Sequence, residues 1–201
     1  MENQSNKELP EEIKRLHLCS ALKNCGSKVE QSFKESKNPL ISIYDDSELG
    51  FVDWSETLIE SSSIFVAKNS NGKCLVLLPL DHKIISGPTV TKGRVADCAV
   101  VTKEDFSLIE FKTNVTSNSV ENINSKTEDA IQQLWNTYSA IIEPRCKNVG
   151  IDISKTINVD FFIVFDKALD VTSAMASRQD YQTKFIEEHK LPLYFENEKD
   201  F

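Results

Sequence analysis

Asp97 interrupts the apolar run Val95-Ala-Asp-Cys-Ala-Val-Val101, and Glu110 and Lys112 stand two apart in the following Phe106-Ser-Leu-Ile-Glu-Phe-Lys-Thr113. A β-favouring run covered on both faces is no place for a lone acid, because burying an unpaired carboxylate costs several kcal/mol or raises its pKa until it is neutral. Two carboxylates and a lysine gathered at one end of a sheet resolve that cost together with a divalent cation. Asp97 and Glu110 then offer hard oxygen ligands to Mg²⁺ or Mn²⁺, and the Phe111 carbonyl offers another. Lys112 orients an attacking water or helps deprotonate it. This is the kit for metal-assisted phosphodiester cleavage.

The elements that must position these groups are two strands and a helix. Val95 to Val101 reads as the first strand, with Cys98 facing opposite Asp97, and Thr102 to Asp105 as a hairpin connection. Phe106 to Phe111 begins the second, where alternation puts Leu108, Glu110 and Lys112 on one face and Ile109 and Phe111 on the other. Ser125-Lys-Thr-Glu128 has the capping-box pattern. Apolar residues then recur at helical spacing from Ala130 to Ile142, which predicts a helix over 126–143 ending at Pro144. Thr156 to Phe165 is strongly β-favouring and closes the sheet. Upstream, Ile64 to Lys68 and Lys73 to Leu78 flank Asn69-Ser-Asn-Gly72, a hairpin signal, and the second of these strands, or the pair, enters the sheet.

This order of elements, with Asp97 on one strand and Glu110-Phe-Lys112 on the next, resembles the PD-(D/E)XK nuclease superfamily. The resemblance implies an α/β (α+β sandwich) fold with a restriction-endonuclease-like αβββαβ core, its mixed central sheet flanked by helices. It implies Asp97 as the metal-binding acid and Glu110 and Lys112 as the (D/E)-x-K element. Ala96 stands where the family name has proline. The helix after this element often carries a glutamine towards the metal in the family, which marks Gln133; Gln132 points further to solvent. An extra glutamate on a preceding helix would be Glu30. The (D/E)-x-K pattern occurs five times in a chain that is 27% charged, so its strand context singles out Glu110-Phe-Lys112. Asp81-His-Lys83 also follows an apolar run but has no preceding strand with an embedded acid.

Flanking segments complete the reading. Pro10 opens a helix over Glu11 to Lys23 with Ile13, Leu16, Leu18 and Leu22 as its apolar side, and Ser27 to Ser36 forms a second helix. Ser177 to Lys190 reads as a helix with Tyr181, Phe185 and Ile186 apolar, followed by an edge strand at Leu191 to Phe195, where Pro192 is tolerated. Arg178 and Lys184 on this helix are available to phosphates. The 201 residues, 40% of them hydrophobic, suffice for one domain (1–201): an N-terminal helical segment (1–38), a sheet core (60–168) and a C-terminal helix and edge strand (177–201).

Five cysteines without a Cys-x-x-Cys pair argue against a disulfide framework and a zinc ribbon, and the three histidines have no metal-ligand spacing. No apolar run spans a membrane and the polar N-terminus has no signal core, so the expectation is a soluble cytoplasmic protein. The net charge of −8 opposes long-range attraction to phosphates, although Lys83, Lys92, Arg94, Lys103, Lys112 and Lys126 are expected near the site. The expected partner is nucleic acid, DNA first, with a homodimer or partner subunit supplying recognition in a defence or repair setting. The alternative is a catalytically inactive member of the same fold acting as an interaction or regulatory subunit.

Overall fold

Leucines and isoleucines near the N-terminus fold into three short helices rather than the two continuous ones expected. They are α1 (Glu11–Arg15), α2 (Leu18–Ala21) and α3 (Val29–Ser32). His17 takes a left-handed conformation between α1 and α2, which lets Ile13, Leu16, Leu18 and Leu22 all reach the core where a straight helix would turn some of them outward. After α3 the chain becomes extended at Lys34, so the second expected helix is cut to one turn.

Among the described residues ten strands follow in two sheets. In chain order they begin with β1 (Lys34–Ser36), β2 (Leu40–Asp46), β3 (Phe51–Ser55), β4 (Ile64–Lys68), β5 (Leu75–Pro79), β6 (Cys98–Val101) and β7 (Asp105–Lys112). A long helical stretch then comprises α4 (Val120–Asn136), a π-helical segment (Thr137–Ile142) and α5 (Glu143–Asn148). The chain continues through α6 (Ile153–Thr156), β8 (Asn158–Phe165), α7 (Met175–His189), β9 (Leu193–Tyr194) and β10 (Glu198–Asp200). The computed structural model describes residues 8–87, 94–113, 115, 117–169 and 174–201; Lys92, expected near the site, lies outside them.

The central sheet has the order β1-β5-β6-β7-β8-β9, antiparallel up to β7 and parallel from β7 to β9. The second sheet, β10-β4-β2-β3, is also mixed. Alternation along the central strands divides the core between its two faces. Val76, Leu78, Ala99, Val101, Phe106, Leu108, Phe161 and Ile163 face the helices. Leu75, Leu77, Cys98, Val100, Ile109, Phe111, Phe162 and Val164 pack with Ile41, Ile43, Trp54 and Phe65 of the second sheet. The fold is therefore mixed α/β in three layers, helices on sheet on sheet.

Two connections differ from expectation. The Asn69–Gly72 turn does not close a hairpin, because β4 pairs with β2 and β10 whereas β5 pairs with β1 and β6. The Asn69 side chain bonds the Lys73 N–H at 2.9 Å and the Lys73 carbonyl at 2.9 Å, so the turn reverses the chain while handing it from one sheet to the other. The long helix starts earlier than predicted, at its N-cap Ser119, whose hydroxyl accepts from the Asn122 N–H. It also runs past Pro144. The π segment shifts the hydrogen bonding so that the proline sits in the first turn of α5, where its missing N–H is no loss.

Candidate active site

β6 and β7 set Cys98 opposite Ile109, and one further residue of this register sets Asp97 opposite Glu110. β6 itself begins at Cys98, so Asp97 occupies a bend at the strand's entry rather than a position inside it. The reason is that its carbonyl accepts from both the Leu80 and Asp81 N–H groups, at 2.9 and 3.3 Å, where a regular ladder would make one bond. The Asp97 carboxylate turns back and accepts from the Phe111 N–H at 2.6 Å. The N–H and C=O of an extended residue lie on the same edge of the strand, so the Phe111 carbonyl opens towards Asp97 as well.

Glu110 is 2% exposed and accepts from two donors, the Asp97 N–H at 3.3 Å and Lys112 Nζ at 2.6 Å. Lys112 shares the helix-side face with Leu108 and Glu110, and its Nζ also donates to Gln133 Oε1 at 2.6 Å. Gln133 Nε2 in turn donates to the Val95 carbonyl at 3.3 Å. Asp97, Glu110, Lys112 and Gln133 thus form one chain of hydrogen bonds where β6 begins and β7 ends. Gln132 is exposed on the same helix.

Burial pushes the Asp97 carboxyl up to about 7, opposed by its bond from Phe111 and assisted by the charges of Asp45 and Asp81. Burial also holds Glu110 well above the usual carboxylate range; Asp97 adds to this and Lys112 works against it. Two carboxyl groups around one ammonium in a sheltered place therefore hold their protons more tightly than free carboxyls do. Among the described residues no group of three or more His, Cys, Asp or Glu side chains is arranged to hold a metal. Two carboxylates nevertheless fit a hard cation such as Mg²⁺, which completes its shell with water and phosphate oxygen.

The acids around Asp97 were not foreseen. Asp45 and Asp46 from the end of β2, with Asp81 and His82 after β5, line a cavity of about 250 Å³ that reaches Asp97. The apolar run before Asp81-His-Lys83 marked this segment, since β5 lies beside β6 and carries Asp81 to the same sheet end. Nothing local pointed to Asp45, because β2 belongs to the second sheet.

Other expected residues are distributed less favourably. Lys103 stands at the far end of the β6–β7 hairpin, where Val101 meets Phe106, and not near Asp97. Alternation fixes which way a side chain points but not which strand end is the site. Arg94 is paired with Asp129, and Lys83 lies over the Phe51 ring at 4.3 Å. Lys126 is two turns before Gln133 on the same side of α4. Glu30 is exposed near Cys19 and does not join the cluster. On α7, Phe185 is buried as expected, whereas Ile186 is 49% exposed, since α7 packs only a narrow stripe against α4 and β8. The edge strand is shorter than predicted, β9 alone, and pairs parallel with β8.

No helix among the described residues is long and apolar enough to cross a membrane. No protein-family model, no curated protein and no solved structure matches this chain.

Proposed function

We propose that the chain is a metal-dependent nuclease of restriction-endonuclease-like fold, hydrolysing phosphodiester bonds of nucleic acid, with DNA the first substrate to try. The single observation that carries this reading is the bonded cluster Asp97, Glu110, Lys112 and Gln133 at the end of β7. The order of elements supports it: three antiparallel strands β5, β6 and β7, a helix, then β8 parallel to β7.

Asp97 and Glu110, with the Phe111 carbonyl, would hold Mg²⁺ or Mn²⁺. When bound, such an ion supplies an acidified water and charge stabilisation at the phosphate. Lys112 has three N–H donors, of which two are held by Glu110 and Gln133. Its third has no partner among the described residues and would serve the attacking water or a phosphate oxygen, aimed by the two fixed bonds. Gln133 keeps the lysine over Glu110 and anchors itself on the Val95 carbonyl. The site lies at the carboxyl end of the parallel pair β7 and β8, the side on which open α/β sheets present ligands.

The test is cleavage of single- and double-stranded DNA and RNA with Mg²⁺ or Mn²⁺, comparing wild type with Asp97→Asn, Glu110→Gln and Lys112→Met. Each variant is expected to lower kcat by about a hundredfold or more with little change in KM. Unchanged cleavage in Lys112→Met would refute the assignment. A second reading, a catalytically inactive subunit of the same fold, is favoured by the partners that both Glu110 oxygens already have. It predicts no cleavage of any of these substrates by wild type.

A further inference from the structure

Glu12 on α1 is only 2% exposed, yet it forms no ion pair among the described residues. Its polar partner there is the Cys74 thiol, a weak donor, and an acid sheltered in this way without a cation costs free energy. It is not sealed off. Glu12 lines two adjoining cavities of about 510 and 260 Å³, which also share Lys37, Cys74 and Lys103. The described side-chain atoms that are both sealed and unbonded belong to Tyr138, Asp160 and Arg178, so the Glu12 oxygen not held by Cys74 opens into this space.

The strands put two amines beside it. Ser36 pairs with Leu75 and Val76 with Val101, so the same registers continued place Lys37 and Lys103 on either side of Cys74. Cross-strand neighbours point to one face, and Cys74 packs against the helix-side core, so the lysines flank it on the face that α1 covers. Two strand spacings separate their backbones by about 10 Å, a gap that two flexible lysine stems bridge from either side. Neither amine has a hydrogen bond or ion pair among the described residues. The other charges at the rims are satisfied, Glu11 by Lys14 at 3.0 Å and Glu104 by Lys73 at 2.6 Å, and Glu35 is also engaged. What remains open is one sheltered carboxylate between two ammonium groups. A simple anion meets repulsion from Glu12, and a simple amine meets it from the lysines. The complement is a ligand with one ammonium and two carboxylates.

We infer that this space binds a free acidic amino acid, glutamate or aspartate, with its ammonium on Glu12 and its two carboxylates on Lys37 and Lys103. The ammonium supplies the charged donor that Glu12 lacks, and the Cys74 thiol holds the other carboxylate oxygen in place. The site is at the opposite end of β6 and β7 from Asp97 and Glu110, and it does not depend on the nuclease reading.

The test is metal-free titration of the full chain with L-glutamate and L-aspartate, followed by backbone amide resonances and by calorimetry. Saturable binding of one or both is expected, with shifts centred on Lys37, Cys74 and Lys103. Glutarate has both carboxylates and no ammonium, and γ-aminobutyrate has only one carboxylate, so each should bind at least about tenfold more weakly. Glu12→Gln, and Lys37→Met and Lys103→Met on exposed side chains, should each lower affinity about tenfold. Lys184→Gln, a charge change on α7 outside both cavities, should not. The lysine variants decide the matter where Glu12→Gln disturbs folding. No saturable shift at these amides with either amino acid, glutarate binding as tightly as glutamate, or undiminished affinity in both lysine variants would overturn the inference. Cleavage of nucleic acid by wild type, present or absent, bears on the nuclease reading alone.

Discussion

Glu110 and Lys112 are coupled so closely that neither can be altered alone without exposing the other. Glu110 is nearly inaccessible and Lys112 only 13% exposed, and their 2.6 Å bond is the principal compensation for a carboxylate held among Leu108, Ala99 and the helices. Removing one member of a buried pair costs about 3–5 kcal/mol because the survivor remains desolvated, whereas replacing both by matched neutral groups is often near neutral. Lys112→Met alone should therefore lower stability by that order, Glu110→Gln much less, and the double variant should recover most of the loss. Urea melts of the four proteins measure this cycle; additive losses would show that the pair is not coupled. The two-residue spacing that puts both groups on one face was legible in the sequence, because strand alternation is a local property. So was the convergence on Gln133, which borders the apolar stripe of its helix. The neighbouring Asp45 was not, since its approach to Asp97 depends on how the second sheet stacks.

At the scale of elements, α7 is joined to α4 through aromatic rings. Trp135 and His189 stack at 3.7 Å with an interplanar angle of 17°, and Phe185 meets both edge-on. Burial lowers the His189 pKa, with Glu188 at 3.8 Å acting in the other direction. A histidine whose folded pKa lies below its unfolded value contributes stability that is complete above the unfolded value. That contribution is lost as pH falls through the folded one. The window thus opens below about 6.5, the ordinary histidine value. Amide exchange of α7 should accelerate relative to α4 as pH falls through this range, after correction for intrinsic exchange, and His189→Gln should remove the difference. An unchanged ratio would mean that the stack tolerates the imidazolium. The helix itself was readable from Tyr181 and Phe185, but its narrow contact was not, because Ile186 satisfies helical spacing and still faces solvent. The Asn69–Gly72 turn teaches the same point for strands. Turn residues dictate a reversal, and the partner of each strand is decided by which core it completes. Pro144 likewise ends a helix in isolation and not where a π segment precedes it.

For the whole molecule, the charge of −8 and the acidic site act on cations and phosphates in opposite ways. Asp45 and Asp81 add to the field at Asp97, so the folded chain carries an electrostatic cost at the site that the unfolded chain does not. On the proposed reading, a divalent cation bound by Asp97 and Glu110 would relieve that cost only in the folded state, and any ligand selective for the folded state raises its stability by mass action. At a free concentration of ten times Kd the gain is about 1.4 kcal/mol, which for a chain of this size shifts Tm by about 3–5 °C. Mg²⁺ or Mn²⁺ should therefore raise the wild-type Tm at neutral pH, while Asp97→Asn, relieved of the charge, should melt higher than wild type without metal and respond weakly to it. Equal responses in both proteins would assign the effect to general screening of the acidic surface, since screening does not require Asp97. No response in wild type would count against a metal held by Asp97 and Glu110 in the free protein.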